Sequence, residues 1–264
     1  MLRTIRPHAF EAAGPSTHRG HRRIGTVVWR WARLAVLVGL MLFGAAVALL
    51  AVFRFVDPPF TAFTVAQSLS GGRVTQQWVP LDGISPHLLR AVISSEDAKF
   101  CTHFGVDLGE IEAAIERARG GIPRGASTIS MQVIKNLFLW QGKSYIRKAI
   151  EIPLTLVMEQ LWPKTRILEV YLNIAEWGPG VYGAEAAAQF HFEKPASRLT
   201  EREAALLAVA LPNPAMRDAG DPGPGTQRLA DRILTRMKVV GRNISCVERS
   251  GASQRRGTAP RHAT

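Results

Sequence analysis

Glu96 sits where a carboxylate is expensive. On a helix starting at Pro86, the residues Leu88, Leu89, Val92, Ile93 and Phe100 form one apolar stripe at about 100° per residue. Glu96 falls in the middle of that stripe and Asp97 at its edge. Burial raises a carboxylate's pKa unless a partner offsets the lost water. A pKa moved toward neutrality suits a general base or acid. The same spacing also allows Glu96 to end the helix and turn to solvent.

The segment Arg124 to Asn136 is the second oddity. On a helix it places Thr128, Gln132, Lys135 and Asn136 on one narrow face, with Ile129, Val133, Ile134, Leu137 and Phe138 around much of the rest. Hydroxyl, amide and ammonium groups without an acid suggest a ligand face. Gly125 and Ser127 precede it, where free backbone N–H groups favour an anion. A polar surface stripe would have a similar outline. Arg147 and Glu151 follow at i, i+4, by default a surface ion pair worth a few tenths of a kcal/mol. Pro153 predicts a kink or an end to that helix. His103 stands alone, so packing or hydrogen bonding suits it better than metal ligation. The sequence has neither a two-His-one-carboxylate pattern nor a G-x-S-x-G elbow.

These groups need elements to hold them. The chain has 264 residues and a net charge of +12, and it is 47% hydrophobic with 20% charged residues. That composition is globular. The charge is concentrated at the ends. Residues 1–33 carry seven Arg against Glu11, the stretch from Gly241 carries five Arg against Glu248, and the remainder is nearly neutral. A nucleic-acid partner would call for a basic face on the domain instead. Leu34 to Phe53 is an uncharged apolar run of twenty residues, about 30 Å as a helix and enough to cross a bilayer. It is too long for a signal h-region. The Arg-rich start and Trp29 and Trp31 place the N-terminus in the cytoplasm and the rest outside.

Residues 54–240 then form one exported, mainly α domain. A connector over 57–84 has room for a short strand, and helical periodicity starts at Ser85-Pro86. Asp107 with Glu110 and Thr200 with Glu203 have capping-box spacing. The tail 241–264 is basic, has little to bury and reads as disordered. Cys101 and Cys246 either pair or remain two thiols; outside the cytoplasm oxidation is favoured.

Taken in order, the segments resemble the family 51 glycosyltransferases. The first match runs from Glu96-Asp97 through Phe100, His103 and Gly105 to Asp107, and the second from Gly125 through Ser127-Thr128 and Gln132 to Lys135-Asn136. Arg147-Lys148-Ala149-Ile150-Glu151 follows, then Lys164 to Asn173, then Gly180 to Ala187. Lys194-Pro195 through Leu211-Pro212-Asn213-Pro214 fits the family's last helices, so the likeness covers roughly residues 60–240. An anchor followed by this domain resembles the monofunctional branch. Transpeptidase motifs of the Ser-x-x-Lys and Lys-Thr-Gly type are absent, and Lys164-Thr165 runs into Arg166.

The resemblance implies a lysozyme-like helical fold with a small lobe dipping into the bilayer. It implies polymerisation of lipid II, a disaccharide-pentapeptide on undecaprenyl diphosphate, into a nascent β-1,4 glycan strand at the bacterial inner membrane, where other wall synthases or division proteins are potential partners. In that scheme Glu96 is the general base and Lys135 and Arg147 receive the departing diphosphate. Glu151 is a supporting acid near the diphosphate or a divalent cation, Mg²⁺ or Mn²⁺, for which it would be a ligand. Asp97, Phe100, His103, Ser127, Thr128, Gln132 and Asn136 shape the cleft or hold sugars. Met131 stands where the family often has a second Gln, and the glycine-rich linker 117–124 resembles a mobile segment beside the donor site. The rival readings are a lytic glycosidase on the same fold, which needs no cations around a diphosphate, and an inactive wall-synthesis scaffold, which would not need Glu96 and Glu151.

Overall fold

The computed structural model describes residues 18–119, 125–142, 144–240 and 244–247. It is mainly α, as expected. Helix α1 spans His18–Phe53, and its stretch Trp29–Phe53 is long and apolar enough to cross a membrane. That stretch reaches further toward the N-terminus than the span read from the sequence. The linker residues 120–124 and the basic ends 1–17 and 248–264 lie outside the described residues.

From Ala46 onward the chain forms a second compact unit. The end of α1 is tied into it by polar contacts on backbone carbonyls. Trp162 Nε1 donates to the carbonyl of Leu50 at 2.7 Å, and Arg166 donates to those of Phe53 and Val56 at 2.8–3.0 Å. A guanidinium there satisfies orphan carbonyls and complements the helix dipole. Helix α2 (Ala62–Leu69) and strand β1 (Thr75–Gln76) occupy the connector. β1 lies parallel to β3 (Val181–Tyr182), which pairs antiparallel with β2 (Glu176–Gly178) and leads into α8 (Ala184–Phe192).

Two helix groups position the site. Helix α3 (Pro86–Glu96) packs against α9 (Glu201–Ala210) and α10 (Pro224–Val240), and α5 (Ile129–Phe138) packs against α6 (Tyr145–Leu161) and α7 (Lys164–Ile174). Ser85 caps α3 with Pro86 at its first position, and Thr200 and Glu203 form the expected reciprocal box on α9. Asp107 caps α4 (Leu108–Ala118), accepting from the Glu110 N–H at 3.0 Å.

Three expectations give way. Phe100 is not on α3, which ends at Glu96, yet it is fully buried in the turn that follows. Pro153 does not end α6, which runs on to Leu161. Buried Glu151, Leu154, Thr155 and Met158 hold the helix on both sides of the missing N–H donor. The start of the C-terminal tail is packed: Ile244 and Val247 are buried, and Cys246 forms a disulfide with Cys101 across 145 residues.

Candidate active site

Glu96 closes α3, and its carboxylate meets α5 from the side. Gln132 Nε2 donates to Glu96 Oε2 at 2.9 Å, and the amide's carbonyl oxygen accepts from the Tyr171 hydroxyl of α7 at 3.2 Å. Burial pushes the Glu96 pKa up, opposed by the Gln132 bond and by the charge of Lys135. The apolar-stripe reading was therefore right about the environment. Glu96 also borders two cavities, of about 200 and 170 Å³.

Asp97 holds the ends of two segments together. Its carboxylate accepts from His103 Nε2 at 2.9 Å and from the first N–H of α5, on Ile129, at 3.0 Å. The anion at the start of α5 is thus the protein's own side chain, where the sequence had suggested a ligand. Thr128 caps the same helix: its hydroxyl accepts from the Met131 N–H at 3.1 Å and donates to the Gly105 carbonyl at 2.6 Å. Gly105 adopts φ +80°, and a Cβ there would sit 2.9 Å from Thr155 Cγ2, so only glycine fits. Thr128 and His103 serve the scaffold. Phe100 does too, buried beneath Lys164, whose Nζ lies 4.6 Å from its ring centre.

On the other side of Gln132 opens a cleft of about 310 Å³ lined by Gln132, Lys135, Asn136, Arg147, Tyr171 and Glu176, among others. Lys135 lies over the Phe63 ring at 5.5 Å, and burial pushes its pKa down, with Arg147 and Lys148 adding to the effect and Glu151 and Glu96 opposing it. Asn136 is buried, and among the described residues its Oδ1 has no donor.

Glu151 is no surface ion pair. Its side chain is 2% exposed, one oxygen bound by Arg147 and the other by Lys148 at 2.5 Å. Lys148 Nζ also donates to Ser127 Oγ at 3.0 Å, joining the α5 entry to α6. Lys148 was missed as a site residue, although its i, i+3 spacing to Glu151 was visible. Tyr171 was missed because nothing in its own helix shows that it reaches Gln132. The donor set does not fit a divalent cation held by Glu151: both oxygens face cationic side chains, and among the described residues no three His, Cys, Asp or Glu side chains converge.

A buried carboxylate with a raised pKa, next to a cleft walled by ammonium and guanidinium groups, is equipment for transferring a group away from an anionic leaving group. Residues 64–240 match the family model described as Transglycosylase, and the chain belongs to that family. It is similar to proteins named biosynthetic peptidoglycan transglycosylase. The one from Agrobacterium fabrum is 49% identical over 190 residues, 72% of this chain and 84% of the relative. That from Rhodospirillum centenum is 50% identical over 213 residues, 79% and 90%, and that from Brucella suis is 45% identical over 216 residues, 81% and 96%.

Proposed function

We propose that this protein is a peptidoglycan glycosyltransferase of cell wall synthesis that polymerises lipid II. Glu96 takes the proton from the 4-hydroxyl of the acceptor's N-acetylglucosamine. The freed oxygen attacks the anomeric carbon of the donor's N-acetylmuramic acid, a β-1,4 bond forms with inversion, and the bond to the lipid diphosphate breaks. Lys135, Arg147 and Lys148 meet the negative charge that grows on the departing diphosphate. Glu151 holds Arg147 and Lys148 in place in a partly buried setting, so no step needs it as a metal ligand. The observation that carries this reading is Glu96, desolvated and hydrogen-bonded by Gln132, beside the Lys135 cleft.

The apolar helix suits an enzyme whose substrate is lipid-anchored, since both are then confined to one surface. The arginine-rich start supports a cytoplasmic N-terminus and a catalytic domain on the outer side of the inner membrane. Incubation of the purified protein with labelled lipid II tests the reading. Long glycan is expected; unchanged lipid, or shortened strands from preformed wall, would contradict it.

A further inference from the structure

The polymerase reading uses the cations of α5 and α6 but leaves a second group unused. Arg228, Arg232 and Arg236 occupy successive i, i+4 positions along α10. Like charges at that spacing oppose helix formation by a few tenths of a kcal/mol per pair. No acid occupies the row to offset them. Asp231 on the same helix pairs with Arg202 of α9 instead. Among the described residues, none of the three guanidinium groups makes a hydrogen bond or ion pair.

Two of them line the 170 Å³ cavity that Glu96 borders. Arg232 and Arg236 stand there with Arg217, whose guanidinium spends one N–H on the Val209 carbonyl at 2.8 Å. Arg236 also lines the adjoining 200 Å³ cavity, again with Glu96. Among the described residues Glu96 is the only acid bordering the smaller cavity, and its carboxylate is held by Gln132 rather than by an arginine. This cavity shares no lining residue with the Lys135 cleft, and Leu211 and Pro212 at the end of α9 belong one to each. Base and cations therefore repeat on a second side, with guanidinium forks suited to an oxyanion.

We propose that Arg217, Arg232 and Arg236 form an anion-binding subsite for the acceptor substrate, holding an oxyanion group of the molecule whose hydroxyl Glu96 deprotonates. The proposal rests on the polymerase reading. Two parts of a lipid-linked disaccharide-peptide offer that chemistry: its diphosphate and its stem-peptide carboxylates.

The test uses purified full-length protein, labelled lipid II and the variants Arg232→Gln, Arg236→Gln and both together, with Arg198→Gln as a surface control. The half-saturating lipid II concentration is expected to rise about tenfold in the double variant, with kcat within about twofold. Lysine at both positions should recover part of the loss, and the melting temperature should stay put because both side chains are exposed. On a lipid-linked disaccharide lacking the peptide, a persisting penalty identifies the diphosphate and a vanished one the carboxylates. Half-saturation equal to the wild type on both substrates overturns the subsite. Lipid II binding measured in the Glu96→Gln background separates the two claims. A wild-type chain that makes no glycan sinks the polymerase reading, whereas unchanged binding after loss of both arginines sinks the subsite.

Discussion

Gln132 donates to Glu96 across the α3–α5 junction at 2.9 Å, and this bond works against the rise that burial imposes on the carboxylate's pKa. Desolvation pushes the Glu96 pKa up, and the amide N–H, by favouring the ionised form, opposes that rise. The buried Tyr171 hydroxyl decides which end of the amide faces Glu96, since a phenol that donates must meet the carbonyl oxygen.

Gln132→Leu should move the acid limb of the kcat/KM profile upward by about one to two pH units, the range of a hydrogen bond to a charged group. Tyr171→Phe keeps the packing but frees the amide to turn, and should move the same limb in the same direction by less. Profiles that superimpose on the wild type would remove Gln132 from any tuning role.

The two raised and lowered groups give a bell-shaped profile with known signs. Glu96 must be ionised, and its pKa is raised, so activity should fall on acidification at a pH above the ordinary glutamate range. Lys135 must be protonated, and its pKa is lowered, so activity should fall on the alkaline side below the ordinary lysine range. Rate measurements across pH check both limbs. A Lys135→Arg variant should push the alkaline limb higher, because a guanidinium stays charged.

Glu151 holds two cations in a nearly dry setting. Glu151→Gln should lower stability by roughly 1–3 kcal/mol through the charges left without a counter-ion. It should also lower kcat by loosening Arg147 and Lys148. Thermal melting and turnover together test this; a stable variant with normal turnover would leave Glu151 without a role.

Cys101 belongs to the turn that carries Phe100 and His103, and its disulfide to Cys246 closes a loop of more than a hundred residues. Reduction, or Cys246→Ser, should destabilise the domain by about 2–4 kcal/mol, read as a lower melting temperature under reducing conditions.

The sequence made local relationships legible and left the contacts between elements hidden. Helical spacing alone put Gln132, Lys135 and Asn136 on one face, and that holds; Glu96 is desolvated as its place on the stripe implies, but the partners it meets are polar. Spacing could not show that Asp97 would cap α5 from 32 residues away, nor that α6 would bury Glu151. The i, i+4 rule sees only the pair on its own helix. Phe100 failed as a helix position because Asp97 leaves the helical backbone, with φ −161° and ψ 73°. Pro153 failed as a breaker because tertiary packing outweighs one lost hydrogen bond.

Replacing Glu96 by Gln is the most direct measurement. The change keeps size and hydrogen bonding but removes the proton acceptor. On labelled lipid II, glycan formation should drop to background while the melting temperature and lipid II binding stay near wild type. Polymerisation at an appreciable fraction of the wild-type rate would contradict the assignment of Glu96 as the base.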